Sequence, residues 1–377
     1  MNSDNLGVGA LTLSNIAILR DVAQAQGRRA HFLILGWRDP RPWYFESDDI
    51  ENIPLRTRDL ARPGGKFAAA IARADIVFDI GGGDSFTDIY GPKRFLTIWG
   101  TKMRTVAARK PLILSPQTIG PFETSWARPL ARQIMNKAKF VVTRDTPSTA
   151  FVKEMGVRSE ILEATDVAMR LPYDPPAPRA ADGPIRVGLN VSGLLFSGGY
   201  TQDNQFGLKS DYPALIREII TWFCAQPNVE LHLVGHVQSK NQPVEDDHRV
   251  GVALAKEFEG VQVSPFFTSP TEAKSYIAGM DFFMGARMHA AIAAFSSGVP
   301  VIPMAYSRKF IGVFGTLGYD HVADCKSDEA EAILTRIRDG FEQRDVLKAE
   351  VAKAMEGVNT RLDQYAELAR HEIAALS

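Results

Sequence analysis

The sequence predicts an α/β fold of two domains, each with a parallel β-sheet covered by helices. Short apolar runs alternate with helical patterns along most of the chain, as in sheets whose strands are joined by crossover helices. The length of 377 residues exceeds what one ordinary core accommodates. A stretch rich in Pro and Ala near the middle interrupts the alternation, and we interpret it as the linker between the domains.

The first predicted domain comprises residues 1–172 and opens with a helix. Apolar residues at helical spacing extend from Leu11 to Gln26 and stop at Gly27, a residue type that commonly ends helices. Apolar runs predict buried strands at residues 31–35, 74–80, 111–115, 140–143 and 161–162, and a helical pattern covers residues 126–138. This alternation predicts a parallel, doubly wound sheet.

Polar loops follow three of these strands. Gly81-Gly82-Gly83-Asp84 comes directly after residues 74–80, and three glycines allow positive φ angles and close approach of the backbone to a ligand. The next two predicted strands are also followed by polar segments, residues 115–121 and residues 143–145. Open α/β sheets bind ligands at the carboxyl ends of their strands, so these loops are candidate binding positions.

The linker is placed at residues 173–184, and the alternation restarts beyond it. The second domain, residues 185–345, has predicted strands at 185–191, 229–234 and 261–263 and predicted helices at 212–224, 247–258 and 271–279. Residues 346–377 are strongly helical and could cross back to pack on the first domain. Two Rossmann-like domains with facing sheet edges enclose a central cleft, which is the glycosyltransferase-B type of architecture.

One stretch of the second domain, residues 282–309, combines this pattern with charge. It predicts a strand, a loop, a helix ending at Gly298 and a second strand, and the helix opens with Arg287 and His289. Both side chains then lie at the carboxyl edge of the sheet, beside unpaired helix N–H groups that favour an anion. An Arg-x-His pair can also cap a turn or pair with a carboxylate, so the pattern alone leaves both interpretations open.

Composition excludes several classes of protein. A formal net charge of −1 gives no general attraction to nucleic acid or to an anionic membrane, so an anion site must be local. Cys224 and Cys325 stand far apart, which supports neither a disulfide framework nor a zinc site. The N-terminus lacks a basic start before a long apolar core, and no stretch is expected to reach membrane-spanning length. We expect a cytoplasmic protein, for which peripheral membrane association remains open.

Seven short motifs follow one another in order over nearly the whole chain. They are Asp79 to Asp84, Gln117 to Pro121, Thr143-Arg144-Asp145, Gly235-His236 with Asp246-Asp247, Arg287-Met288-His289, Gly298-Val299-Pro300 and Tyr306 to Lys309. Together they resemble the polysaccharide pyruvyl transferase family. The resemblance implies transfer of the carboxyethylidene group of phosphoenolpyruvate to two sugar hydroxyls, with formation of a cyclic ketal and release of phosphate.

The same resemblance assigns roles to individual residues of the donor site. Arg287 matches an Arg that binds phosphoenolpyruvate, His289 the general acid, Met288 the residue between them, Arg144 a second donor-binding Arg and Lys309 a donor-contacting Lys. The chemistry agrees, because guanidinium groups suit phosphate and carboxylate, and three cations balance a trianion. A His that titrates near neutrality, with its pKa raised by nearby anions, can protonate the methylene carbon of the donor. No cofactor and no metal are expected.

The acceptor is expected on the first domain. Gly82, Gly83 and Asp84 could shape that side and hydrogen-bond sugar hydroxyls, and Gln117 could join them; a tight strand-to-helix turn is an equally good account of the glycines. His236 with Asp246 and Asp247 could form a metal site or an acid/base pair, although a hydrogen-bonded His on a surface loop is favoured. The acceptor is a saccharide, either free or lipid-linked, and the oligomeric state stays open.

The start of the chain departs from the family pattern. Family members commonly open with a strand and then Asn-x-Gly-Asp, whereas here Asn5-Leu6-Gly7-Val8 stands next to Met1 and Val8 replaces the acid. Either the start is trimmed or the acceptor side differs.

Two other functions compete with pyruvyl transfer. A nucleotide-sugar glycosyltransferase shares the architecture, but Ala293 occupies the position where retaining members usually carry a ribose-binding Glu. A non-catalytic binding protein in polysaccharide assembly would retain its function when His289 is replaced.

Overall fold

The computed structural model of the chain describes residues 2–62, 64–180, 182–239 and 241–376. Two compact units are present, and neither is continuous in sequence. The first consists of Met1–Ser3, Leu11–Val167 and Val358–Ser377, and the second of Asp4–Ala10 and Ala168–Gly357. Residues 4–10, which the sequence places in the first domain, therefore lie in the second unit.

The first unit carries two parallel sheets. Its strands are β1 (Phe32–Trp37), β2 (Ile50–Leu55), β3 (Val77–Asp79), β4 (Leu112–Gln117), β5 (Phe140–Thr143) and β6 (Glu160–Glu163). β1 pairs with β2, and the other four form a sheet in the order β3-β4-β5-β6. Because all four strands of the larger sheet are parallel, their carboxyl ends form one edge.

Helices connect these strands and close the core of the first unit. They are α1 (Leu6–Ala25), α2 (Thr57–Ala61), α3 (Lys66–Arg73), α4 (Pro92–Ala107), α5 (Ala127–Met135) and α6 (Thr146–Glu154), with a 3-10 turn at Gly81–Gly83. A buried cluster that includes Phe86, Phe95 and Phe122 packs under β4 and β5. The boundary between the units falls inside α1, after Ala10.

The C-terminal residues complete this core. Tyr365 is fully buried; its hydroxyl donates to Asn15 Oδ1 at 2.8 Å and lies 3.0 Å from Ser115 Oγ. Arg361 Nη1 lies 2.8 Å from Glu163 Oε1. Residues 358–377 are therefore an integral part of the first unit.

Helix α1 is longer than the sequence predicts, since it begins at Leu6 and has 20 residues. Among the described residues it is the one helix whose length and mean hydropathy of 1.3 would allow it to cross a membrane, so the expectation that no stretch reaches such a length is wrong. Inside the protein, however, 72% of its most apolar window is buried, and core helices of soluble proteins satisfy the same criterion.

The second unit carries one six-stranded parallel sheet. Its strands are β7 (Ile185–Asn190), β8 (Val229–Leu233), β9 (Gln262–Val263), β10 (Phe282–Gly285), β11 (Val301–Ala305) and β12 (Ala323–Asp324), in the order β12-β11-β10-β7-β8-β9. The chain builds outward from β7 to β9 and then returns to the other side of β7 to form β10, β11 and β12. The topological switch point, where doubly wound sheets bind ligands, therefore lies between β7 and β10.

The helices of the second unit follow its strands. They are α7 (Gly193–Phe196), α8 (Tyr212–Cys224), α9 (Asp247–Glu257), α10 (Pro270–Ile277), α11 (Met288–Ser296), α12 (Arg308–Thr316), α13 (Ala330–Glu342) and the first part of α14 (Arg344–Ala374), with 3-10 turns at Val167–Arg170 and Pro243–Glu245. The core is aromatic where Phe223, Phe282 and Phe341 meet, with ring centroids 5.2 to 6.5 Å apart. α8 begins where Asp211 accepts a hydrogen bond from the Ala214 N–H at 3.0 Å, as expected of a helix N-cap.

Candidate functional site

The switch point of the second unit is occupied by Asn190 and Arg287. Asn190 is the last residue of β7, and Arg287 follows β10 and caps α11. Asn190 Oδ1 accepts a hydrogen bond from the Arg287 N–H at 2.8 Å, and Nδ2 donates to Val234 O at 2.8 Å. Asn190 therefore holds together the ends of the three central strands, because Val234 directly follows β8.

Arg287 forms a buried ion pair with Asp247, the first residue of α9. Arg287 Nη2 lies 2.8 Å from Asp247 Oδ1, Nε lies 3.1 and 3.2 Å from the two carboxylate oxygens, and Nη2 also donates to Glu245 O at 2.9 Å. The Arg287 side chain is 10% exposed and that of Asp247 is not exposed. Burial opposes the charge, but the Asp247 carboxylate outweighs it, so the pKa of Arg287 is raised and the guanidinium stays protonated.

Asp247 also organises the backbone around the pair. It accepts hydrogen bonds from the N–H groups of Gly193 at 2.8 Å, His236 at 3.2 Å and Val237 at 2.9 Å. Within the described part of the chain, Nη1 of Arg287 donates to no acceptor. One edge of the guanidinium is thus fixed by Asp247, and the remaining nitrogen is the one that can contact an anionic ligand.

His289 and His236 accompany this pair. His289 stands in the first turn of α11 and is half-buried, as is Met288 before it. His236 is 2% exposed, and its pKa is lowered to about 3 by burial and by the neighbouring His289 and Arg287. His236 is therefore a neutral, interior residue near neutral pH, and the expectation that it lies on a surface loop is wrong.

Ser307 and Lys309 lie at the start of α12, which follows the adjacent strand β11. β11 pairs with β10, so α12 begins at the same edge of the sheet as α11. Lys309 is half-buried in the first turn of α12, and Ser307 is its N-cap residue. Ser307 Oγ is buried and has no hydrogen-bond partner among the residues described. Two helix N-termini, a guanidinium nitrogen, an ammonium group and a hydroxyl thus belong to neighbouring strand ends.

The predicted acceptor residues, apart from His236, lie in the first unit. Gly82 and Gly83 belong to the 3-10 turn after β3, with φ angles of 60° and 85°, and Asp84 Oδ2 accepts a hydrogen bond from the Tyr90 hydroxyl at 2.7 Å. Gln117 is fully buried; Nε2 donates to Asp79 O at 2.8 Å, and Oε1 has no partner among the described residues. A Cβ at Gly81 would lie 2.2 Å from that Oε1, so the turn needs glycine there.

Arg144 also lies in the first unit, beneath the glycine turn. It is 1% exposed, Nη1 donates to the buried Asp166 at 2.7 Å and Nε donates to Thr118 Oγ1 at 2.9 Å. A Cβ at Gly83 would lie 3.1 Å from Arg144 Nη1. The structure brings Arg144, Gly83 and Gln117 together at one sheet edge, and it brings Arg287, His289 and His236 together at the switch point of the second unit. Lys309 lies in the first turn of the helix that follows the adjacent strand β11.

The ion pairs change the expected charge balance. Three cations were expected to offset a trianion, but Arg144 and Arg287 each already face a buried carboxylate. Two of the three expected cations are therefore already paired with carboxylates, and an anion at the switch point would depend more strongly on hydrogen-bond donors.

The acidic residues near His236 have structural roles. Asp246 is the N-cap of α9 and accepts from the Arg249 N–H at 3.0 Å, while Asp247 is engaged by Arg287. Within the described ranges, no group of three or more His, Cys, Asp or Glu side chains is placed to hold a metal ion.

The sequence model of the polysaccharide pyruvyl transferase family matches residues 17–308. The chain belongs to this family. It is therefore a pyruvyltransferase-type enzyme of polysaccharide biosynthesis. The amylovoran biosynthesis protein AmsJ of Erwinia amylovora is similar, with 21% identity over 305 residues that cover 77% of this chain and 71% of AmsJ.

Solved structures share the fold at low sequence identity. The UDP-GlcNAc 2-epimerase of Neisseria meningitidis, bound to UDP-GlcNAc, has a TM-score of 0.57 at 10% identity and covers 96% of each chain. Sucrose-phosphate synthase of Thermosynechococcus elongatus has a TM-score of 0.56 at 14% identity, covering 96% of this chain and 93% of that one. The predicted α/β class, with two Rossmann-like units of glycosyltransferase-B type, is confirmed.

The sequence does not mark Asn190 or Ser307 as site residues, and it associates Asp247 with His236 rather than with Arg287. Asn190 ends a strand, Asp247 begins a helix and Ser307 caps another, and each could have been found from its position at the carboxyl edge of a predicted strand or helix start. The pairing of Asp247 with Arg287 joins residues 40 positions apart, and no local pattern predicts it.

Proposed function

We propose that the protein transfers the pyruvyl group of phosphoenolpyruvate, as a carboxyethylidene ketal, to two hydroxyls of a saccharide and releases phosphate. The observation that carries this proposal is the placement of Arg287, His289 and Lys309 at the switch point, in a chain of the polysaccharide pyruvyl transferase family. A small donor with a phosphate and a carboxylate suits a site that offers an oriented guanidinium, an ammonium and two helix N-termini.

In the proposed reaction the protonated imidazole of His289 gives its proton to the methylene carbon of the donor. C2 becomes electrophilic, the first sugar hydroxyl attacks it, and the proton of that hydroxyl returns to His289. The second hydroxyl then attacks C2 as the bond from C2 to the phosphate oxygen breaks, and its proton leaves with the phosphate. The donor therefore loses phosphate, and both hydroxyl oxygens end on the same carbon.

Arg287, Lys309 and Arg144 have different roles in this proposal. Arg287 contacts the donor through Nη1 while Asp247 fixes its orientation, and Lys309 supplies the charge that attracts the trianion. Met288, which lies between Arg287 and His289 in the sequence, is assigned a contact with the donor. Arg144 is paired and 1% exposed, so we assign it to support of the Gly82–Gly83 turn on the acceptor side, where Asp84 would bind sugar hydroxyls.

The test is phosphate release from phosphoenolpyruvate in the presence of free and lipid-linked oligosaccharides. We expect release that depends on the acceptor, loss of turnover in His289→Ala and retained donor binding in that variant by calorimetry. His321→Ala, which replaces a partly exposed His of the same unit, is the matched control. Acceptor-independent release, or full turnover in His289→Ala, would contradict the proposal.

A nucleotide-sugar glycosyltransferase is the alternative, because a structure with the same fold binds UDP-GlcNAc. Ala293, which is 5% exposed in α11, offers no carboxylate for a ribose. Transfer from a UDP-sugar without phosphoenolpyruvate would favour the alternative. We further propose that the reaction takes place in the cytoplasm, which the burial of α1 supports. We also propose that the reaction needs no cofactor.

A further inference from the structure

The segment Asp4–Ala10 is anchored beside His236 in the second unit. Asn5 forms an antiparallel bridge with Val237, and the Leu6 N–H donates to His236 O at 3.2 Å. Ser239 Oγ donates to Asp4 Oδ2 at 2.6 Å. The start of α1 is thereby fixed to the loop after β8, whose N–H groups are held by Asp247.

Gly7, in the first turn of α1, faces the imidazole of His289. A Cβ built on Gly7 would lie 2.3 Å from His289 Nδ1 and 2.6 Å from Cγ, and real Cβ contacts essentially never fall below 3.0 Å. Cγ is bonded directly to the His289 Cβ and Nδ1 is bonded to Cγ, so the ring could avoid a methyl group only by leaving its rotamer or by moving α11 away from α1.

Gly7 has no conformational need to be glycine. Its φ lies outside the left-handed region, and glycine is less favourable than alanine inside a helix. The close approach of His289 is therefore the feature that requires the missing side chain.

We propose that Gly7 is a positioning residue for His289: by admitting the imidazole against the backbone of α1, it fixes the direction in which the ring delivers its proton. This inference rests on the proposed role of His289 as the general acid. It also gives the Asn5-Leu6-Gly7 motif a place in the donor site of the second unit, where the sequence assigned it to the first domain.

The kinetic test compares Gly7→Ala with Gly357→Ala. Gly357 is also a helical glycine, but a Cβ there meets no heavy atom within 4 Å among the described residues. We expect Gly7→Ala to lower kcat on the order of 100-fold, because small misplacements of catalytic groups have effects of that size. The KM for phosphoenolpyruvate should change less than about threefold, since Arg287 and Lys309 are not displaced, and Gly357→Ala should match the unmodified protein. An unchanged kcat in Gly7→Ala overturns the proposal.

Two further measurements do not depend on turnover. The imidazole nitrogen signals of His289, recorded by NMR, should shift in Gly7→Ala and stay in place in Gly357→Ala. Gly7→Ala should lower Tm in the unmodified background but not in a His289→Ala background, where the vacated space accepts the methyl group. Equal losses of Tm in both backgrounds, or unmoved His289 signals, would overturn the proposal. If the protein does not catalyse pyruvyl transfer, the kinetic comparison cannot be made. The NMR and Tm measurements still decide whether Gly7 sets the position of the His289 ring.

Discussion

Arg287 keeps its charge inside the second unit because Asp247 lies against it. Both side chains are removed from water, and the carboxylate is further satisfied by three backbone N–H groups. A buried pair of this kind fixes geometry more than it adds stability, but loss of one partner leaves an uncompensated charge. The orientation of the guanidinium is therefore inseparable from Asp247.

Replacement of Asp247 tests this dependence. We expect Asp247→Asn to lower the free energy of unfolding by about 3–5 kcal/mol, the range found when one partner of a buried ion pair is removed. Urea unfolding followed by circular dichroism measures it. Glu257→Gln is the control, since Glu257 forms a similar two-bond contact with Arg217 at the surface, where ion pairs contribute little. If both substitutions lowered the free energy of unfolding equally, the buried Asp247–Arg287 pair would be no more important for stability than a surface ion pair.

His236 predicts a pH dependence of stability. Its pKa is lowered from 6.5 to about 3 in the folded protein, so the unfolded chain binds the proton more readily. Stability is then lost as the pH falls from about 6.5 to about 3, by up to about 4 kcal/mol from this group. We expect His236→Phe, which cannot be protonated, to flatten the slope of unfolding free energy against pH in that window. An unchanged slope would show that His236 is not the group responsible.

At the scale of the elements, the switch point depends on close contact between β7 and β10. A Cβ on Gly285 would lie 2.6 Å from Asn190 Cβ and 3.1 Å from Asn190 O, so the ends of the two strands can approach only because Gly285 lacks a side chain. That approach brings Asn190 Oδ1 to the Arg287 N–H.

Gly285→Ala is expected to separate the ends of these strands. Overpacking at this position should cost about 1–3 kcal/mol of unfolding free energy, and it should weaken the rise in Tm expected from the proposed donor, phosphoenolpyruvate. Gly251→Ala in α9, where a Cβ would make ordinary contacts of 3.5 and 3.7 Å, should change neither quantity appreciably. A Gly285→Ala variant with normal stability and a normal ligand-induced rise in Tm would contradict this account.

The elements also show what local patterns can predict. β5 and α8 have the predicted bounds, because an apolar run and a capped helical period define them. β2 was missed because Glu51, Asn52 and Pro54 interrupt its apolar character, and it forms by pairing with β1. α1 begins five residues early because its first turn is fixed by the bridge between Asn5 and Val237, a contact across more than 200 residues.

The candidate site follows the same division. The positions of Arg287, His289 and Lys309 could be predicted because each stands at the start of a helix that follows an apolar strand, and the topology places the ends of adjacent strands side by side. Asp247 and Gly7 act on these residues through contacts that depend on the folded chain. Local sequence patterns predict which side chains lie at the ends of strands, whereas the contacts between those side chains depend on the tertiary fold.

At the scale of the whole molecule, the proposed reaction predicts how activity depends on divalent metal ions. If His289 supplies the proton and Lys309 the charge, phosphate release should continue at an unchanged rate after dialysis against EDTA. Assays with and without added Mg²⁺ and Mn²⁺ check this expectation. A strict requirement for a divalent ion would contradict the metal-independent reaction proposed here.

The discontinuous units have a consequence for the order in which the chain can fold as it is synthesised. The first unit lacks Val358, Leu362, Tyr365 and Ala369 until residues 358–369 have been synthesised, and all four are fully buried in its core. The second unit needs only Asp4–Ala10, which has left the ribosome long before, and residues up to Gly357. The second unit, although most of it is synthesised later, can therefore complete its fold first. The core of the first unit around Asn15 and Ser115 can form only after the C-terminal part of α14 has been synthesised.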